Sequence, residues 1–230
     1  MLGALAARPL HELMPPHLES VARTATPLVD LPFRFRLHER VRFLCEFARH
    51  PRSTGAIGPS SPELAEAMVR DMGIERSDLV VELGAGTGAF TADIVARLSA
   101  RSSLLALELN PRLAASLQDA FPSTRVRIVC DSAERLCRHL GKGRVGRVDA
   151  IVSGLPWVFF SAEQQRAILQ QIRRALRRGG RFATFAYAHA AWLPSGVKFR
   201  RELRAVFPEC RILPIVWRNL PPAFIYRCRR

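Results

Sequence analysis

Three glycines spaced by two, Gly84, Gly86 and Gly88, follow the run Leu79-Val80-Val81-Glu82-Leu83, and Phe90, Ile94, Val95 and Leu98 then recur at helical spacing. A strand that passes through a glycine-rich turn into a helix makes a corner where the backbone can approach a ligand that a Cβ would block. Glu82, two residues before the first glycine, tells against a dinucleotide, because an acid there repels a pyrophosphate. It suits a cationic amino-acid moiety, as in S-adenosylmethionine (SAM). The next apolar run, Leu104-Leu105-Ala106-Leu107, ends in Glu108, about 20 residues downstream, where Rossmann-type sites place a ribose-binding acid. A third run, 126–130, ends in Asp131-Ser132, where an adenine would lie. Acids at the carboxyl ends of three successive predicted strands read as one cofactor site better than as three unrelated solvated groups.

The elements that position these residues follow from apolar periodicity. Strands are predicted at 79–83, 104–108, 126–130, 148–153 and 181–187, with helices near 89–99, 111–120, 133–139 and 162–177. A helix near 196–206 precedes two more strands, 210–217 and 223–229, joined by the short turn Asn219-Leu220-Pro221-Pro222. Alternating β and α implies an α/β fold with a parallel, doubly wound, Rossmann-like sheet, closed by an antiparallel hairpin. Upstream, Ser61 caps a helix opened by Pro62 and running to about residue 72. Residues 1–53 form an extension and 54–230 the main domain. The extension holds a possible short helix near 17–23. It also carries a basic amphipathic helix over 33–50, with Phe33, Leu37, Val41, Phe43, Leu44 and Phe47 among Arg34, Arg36, Arg40, Arg42 and Arg49. Such a helix lies in an anionic membrane interface or covers the sheet of its own domain.

With its glycine turn and acids, the chain resembles a class I SAM-dependent methyltransferase. The fourth strand ends in Ser153-Gly154-Leu155-Pro156-Trp157. Adenine N6 and rRNA adenine methyltransferases carry Asn or Asp where this chain has Gly154, and glycine has no side chain to accept a hydrogen bond from an exocyclic amine. The resemblance then narrows through Thr54-Gly55-Ala56-Ile57-Gly58-Pro59-Ser60-Ser61, the 82–88 turn, Ser153-Gly154-Leu155-Pro156 and Val216-Trp217-Arg218-Asn219-Leu220-Pro221-Pro222-Ala223. Together these are similar to the soluble bacterial phospholipid N-methyltransferases, over roughly residues 40–230. Family members commonly have Thr-Tyr-Gly at the end of the fifth strand, and this chain has Ala186-Tyr187-Ala188.

The resemblance implies methyl transfer from SAM to the headgroup amine of phosphatidylethanolamine, towards phosphatidylcholine. It implies a cofactor site of Glu82, Gly84, Gly86, Gly88, Glu108, Asp131 and Ser132, with Gly55, Ser60 and Ser61 on a covering loop. Tyr187 and the carbonyls near Gly154 are candidates to orient the amine, and Trp157 and Tyr187 to stabilise the cationic product through their π faces, worth about 0.5 to 2 kcal/mol. Arg218 with Asn219 is a candidate for the lipid phosphate. Each has a structural alternative: Trp157 as core, Tyr187 as a strand end, Arg218 and Asn219 as a tie across the hairpin, Ser61 as the cap. No general base is identified.

Composition bounds the partners. The formal net charge is +15, and residues 165–230 hold fifteen Lys plus Arg against Glu202 and Glu209. Such a region favours a polyanion, either nucleic acid or an anionic lipid surface. An RNA or DNA adenine N6-methyltransferase is therefore the alternative activity, and a SAM-fold binding protein without catalysis a third reading. No run reaches the roughly 18 apolar residues of a membrane span, and residues 1–10 do not form a secretory signal. The expected location is cytoplasmic, peripheral to the inner face of the cell membrane. Five cysteines without a Cys-x-x-Cys pair point to reduced thiols and no metal site, with Cys130 and Cys210 as small core residues. No protein partner is implied.

Overall fold

The computed structural model describes residues 60–230, apart from Lys142 and the side chain of Trp192. The predicted helices at 17–23 and 33–50, the boundary at residue 53, and Gly55 lie outside the described residues.

Five strands are parallel: β1 (Leu79–Leu83), β2 (Ser103–Glu108), β3 (Val126–Cys130), β4 (Val148–Ser153) and β5 (Leu176–Tyr187). β6 (Glu209–Ile212) and β7 (Ala223–Arg229) close the sheet, with β7 antiparallel to both β5 and β6. The order β3-β2-β1-β4-β5-β7-β6 reverses direction between β1 and β4. The crevice at that switch point opens over the carboxyl end of β1, where the glycine turn begins.

The helices are α1 (Pro62–Val69), α2 (Ala89–Arg97), α3 (Pro111–Ala120), α4 (Leu136–Leu140), α5 (Ala162–Ala175) and α6 (Pro194–Val206). Local chemistry starts them. Asn110 accepts hydrogen bonds from the backbone of Arg112 and Leu113 ahead of α3, with Pro111 at its first position. Ser161 and Gln164 form a reciprocal capping box on α5.

β1 is buried along its whole length, which explains its unbroken apolar run. Alternate residues serve opposite layers. Leu79, Val81 and Leu83 pack with α4, α5 and α6, whereas Val80 packs with α1 and α2. Glu82 has the parity of Val80 and faces the α1–α2 layer.

Several boundaries differ from the sequence expectation. β5 begins at Leu176 instead of 181, because Leu176 pairs with Val148 before an irregularity that carries Gly179 at φ 75°. α1 ends at Val69 instead of about 72, and Asp71 turns the chain out at φ 57°. The 133–139 segment starts as a 3-10 turn at Ala133–Arg135 before α4. The predicted 210–217 strand is only β6, followed by an excursion that rejoins the sheet through a bridge from Val216 to Ala223. Pro214 has no N–H to continue the ladder. Cys130, expected in the core, is exposed, because β3 is an edge strand with Ile128 as its buried residue. Cys210 and Cys228 are register partners, their Sγ atoms 2.9 Å apart.

Trp157 is a core residue, which corrects its candidacy for the site. It is 3% exposed and belongs to the α5–α6 layer, stacked on Phe199 at 4.6 Å. Its indole N–H donates to Thr184 Oγ1 at 2.7 Å, and that hydroxyl donates to the carbonyl of Ser153 at 3.1 Å. This relay fastens the turn after β4 to β5. Thr184→Val keeps the shape but leaves the buried indole N–H without its acceptor, and it is expected to destabilise the protein by about 1–3 kcal/mol in urea unfolding.

Candidate cofactor and acceptor site

The glycine turn is held open by geometry that only glycine tolerates. Gly84, Gly86 and Gly88 have φ of 71°, 58° and 90°. A Cβ on Gly84 would meet Leu155 at 2.9 Å and one on Gly88 would meet Leu117 at 2.9 Å, whereas one on Gly86 would meet nothing within 4 Å. All three glycines are required by their positive φ, the outer two also sit close against leucine side chains, and Gly86 borders open space.

Glu82 lies beneath this turn and is fully buried. One carboxyl oxygen, Oε2, accepts from the Thr91 hydroxyl at 2.7 Å, and the other, Oε1, has no partner among the described residues. Burial raises its pKa to about 8, against the Thr91 hydrogen bond and with the help of nearby Glu108. A buried acceptor with an unsatisfied oxygen beneath a turn whose Gly86 borders open space fits the ammonium group of SAM. Thr91 was not singled out in the sequence, although a hydroxyl in the first turn of the helix after a glycine corner is placed to steady the preceding acid.

Glu108 is oriented by two backbone donors, Gly86 N–H to Oε2 and Asn110 N–H to Oε1, each at 2.8 Å. Its oxygens keep further lone pairs, which suits a ribose diol. Asp131 is more heavily engaged. Its Oδ1 accepts from Ser132 N–H at 2.7 Å and pairs with Arg135 at 3.1 Å, and its Oδ2 meets His139 Nε2 at 2.6 Å. Burial pushes its carboxyl up, and the hydrogen bonds from His139 and Ser132 with the charge of Arg135 outweigh it and hold the group below the ordinary aspartate value. Ser132 Oγ in turn accepts from Glu134 N–H. An adenine amine bound here would share a carboxylate already tied to His139.

The candidate acceptor residues lie at the ends of β4 and β5. Gly154 N–H donates to Leu83 O at 2.8 Å, and a Cβ on Gly154 would sit 2.6 Å from Gly84 O. Position 154 is thus glycine because the glycine turn leaves it no room. Tyr187 lies three residues beyond Thr184, the register partner of Ser153, so it reaches roughly 10 Å past that pair along the strand. It packs on the α1–α2 layer, the same layer as Glu82, in a row from Phe90 through Phe185 to Tyr187 and then His189. Burial pushes the Tyr187 phenol up to about 12, so it stays neutral near pH 7.

The structure gives Asn219 and Ser61 structural ties, and leaves the Arg218 guanidinium largely in solvent. Asn219 is 2% exposed, its Oδ1 accepts from Ser61 N–H at 2.9 Å and its Nδ2 donates to Pro221 O at 2.7 Å, so its amide is a tie and not a phosphate ligand. Ser61 uses its N–H in that tie and its Oγ to accept from Leu64 N–H at 3.1 Å, which makes it the cap of α1. Arg218 pairs with Glu63 at 3.4 Å while remaining 83% exposed. Ser60 stands partly exposed just before the cap.

Glu82→Gln separates stability from binding. The wild-type carboxyl is raised above its unfolded value, so its contribution is full below about pH 4.5 and is lost as pH climbs through about 8. The glutamine variant is expected to melt higher than wild type at pH 8.5, with the gap closing near pH 5. It should also bind SAM about tenfold or more weaker, from a lost charge-assisted hydrogen bond. Melting curves and calorimetric titration check the two arms.

Comparisons with known proteins agree with this geometry. Residues 80–180 match the family model described as a methyltransferase domain. An ornithine lipid N-methyltransferase from Singulisphaera acidiphila is 32% identical over 188 residues, which is 81% of this chain and 94% of that protein. Among solved structures, 1,6-didemethyltoxoflavin-N1-methyltransferase of Burkholderia thailandensis, with bound S-adenosylhomocysteine, matches at TM-score 0.60 and 16% identity over 90% of this chain and 93% of that one. Spermidine synthase of Thermotoga maritima matches at TM-score 0.58 and 15% identity over 74% of this chain, which spans 60% of that protein's length. At these identities the solved structures speak for the fold alone. With the buried acid, the glycine turn and the close relative over most of its length, the chain belongs to the class I SAM-dependent methyltransferases.

Proposed function

We propose that this enzyme transfers the SAM methyl group to the headgroup amine of a membrane lipid, with phosphatidylethanolamine as the acceptor. The observation that carries the lipid-amine reading is the 32% identity, over 94% of its length, to a protein named for N-methylation of an ornithine lipid. That name supports an ornithine lipid as the second acceptor to test, and the sequence motifs support phosphatidylethanolamine. In this reading the protein is cytoplasmic and peripheral, and the basic amphipathic segment predicted from sequence at 33–50 holds it to the inner face of the membrane. Among the described residues no helix is long and apolar enough to cross a membrane.

The cofactor supplies an activated methyl, so the chain's task is to hold a neutral amine in line with it, a contribution of about 7–11 kcal/mol at best. Glu82 and Glu108 fix the cofactor, and the carbonyls beside Gly154 with the Tyr187 hydroxyl orient the amine. The lone pair attacks only after the ammonium loses its proton. With a phenol pushed to about 12, Tyr187 is a hydrogen-bonding group and not the proton acceptor.

A nucleobase acceptor is less well supported, because Gly154 has no room for the Asn of adenine methyltransferases. Radiolabelled methyl from SAM is expected in the lipid fraction of liposomes holding phosphatidylethanolamine or ornithine lipid, resolved by thin-layer chromatography. Label confined to structured RNA would overturn the proposal. Gly154→Asn is expected to weaken cofactor binding without creating adenine activity. Tyr187→Phe should lower kcat/KM about tenfold without moving the apparent pKa of the pH–rate profile, and Tyr187→Ala should lose a further factor of about 2 to 30.

A further inference from the structure

The excursion between β6 and β7 carries large apolar side chains into solvent. Trp217 is 73% exposed, Leu220 84% and Ile215 37%. The segment is nonetheless well anchored. Val216 bridges Ala223, which is the register partner of Tyr187, and Pro222 O accepts from Ala188 N–H at 2.8 Å. Asn219 turns inward to Ser61 and Pro221, and the residues flanking it, Arg218 and Leu220, stand exposed. An ordered turn that holds an indole and a leucine in water has a free-energy cost that a partner would remove.

The chemistry of the turn favours one partner. Arg218, 83% exposed, sits between Trp217 and Leu220, whereas the core of a protein–protein patch is depleted of charge. Indole, leucine and guanidinium at one tip match the boundary between headgroups and acyl chains, where Trp concentrates and cations meet anionic lipid. The base of the excursion, Ala223 and Val216, adjoins Tyr187 at the end of β5, so a surface met by the tip is brought towards the candidate acceptor side of the site. We propose that the Trp217-Arg218-Asn219-Leu220 turn is a membrane-insertion edge for an anionic bilayer, distinct from the amphipathic segment predicted at 33–50, that sets the lipid headgroup at the mouth of the site. The role at the mouth rests on the lipid-acceptor reading, and the docking itself does not.

The full chain and its Trp217→Glu/Leu220→Glu variant are to be sedimented with vesicles of phosphatidylethanolamine and phosphatidylglycerol. The variant is expected to lose vesicle affinity by about tenfold or more, with S-adenosylhomocysteine binding and melting temperature unchanged. Vesicles with brominated acyl chains should quench wild-type tryptophan emission, and Trp217→Phe should remove most of that quenching. Wild-type affinity in the glutamate variant overturns the inference, and if liposomal lipid is still methylated the acceptor reading stands. Lost vesicle affinity in the variant with no lipid methylated by the wild type supports the docking edge and rejects the acceptor reading. Absent quenching with a lower melting temperature in the variant overturns the inference in favour of a cover from the chain itself.

Discussion

A carboxyl group with one satisfied oxygen, buried beneath a glycine turn, is the constraint around which this fold is arranged. Glu82 sits on a strand whose every residue is buried, where an ionised acid is costly unless something compensates it. Thr91 stabilises one oxygen and leaves the other open. Burial keeps this carboxyl largely protonated in the free protein near neutral pH, and a cationic ligand at the open oxygen favours its ionised form. Glu108 nearby adds to the upward shift and is itself fixed by two backbone donors, so the turn is oriented before any cofactor arrives.

The acceptor side follows from packing against the same turn. A Cβ on Gly154 would sit 2.6 Å from Gly84 O, which closes the end of the fourth strand to the polar residue that nucleobase readers use, while Gly84 needs glycine for its φ of 71°. Sheet parity does the rest. β5 sends Tyr187 and Phe185 to the layer of Glu82 and Phe90, whereas Thr184 points to Trp157 in the opposite layer. An aromatic that seemed available for a cationic product is thereby spent on fastening two strands. The aromatic that remains near the mouth is a neutral phenol packed edge-on against Phe185 and parallel to His189.

The terminal motif illustrates how a functional-looking segment can be a clamp with an exposed tip. Asn219 joins the last β-connection to the first described helix, and the Arg218–Glu63 pair runs between the same two segments. Two stretches that stand 158 residues apart in sequence are therefore one structural corner. Exposed ion pairs of this kind contribute at most about 1 kcal/mol, so the buried amide is the stronger part of the tie.

The alternation of buried strands and amphipathic helices, the glycine corner with its acids, and the cap at Ser61 were legible in the residue order, because each rests on local periodicity or on hydrogen bonds within a few positions. What needed the folded chain was every choice between equivalent local options. Trp157 adjoins a strand end next to either layer, and only the packed neighbours Phe199 and Thr184 select the core. Asn219 and Ser61 each have a plausible local role, and only their meeting across the fold decides between ligand and tie. The unsatisfied oxygen of Glu82 was likewise invisible. An acid's position can be read from a sequence, but the absence of water around it is a property of all the segments that enclose it.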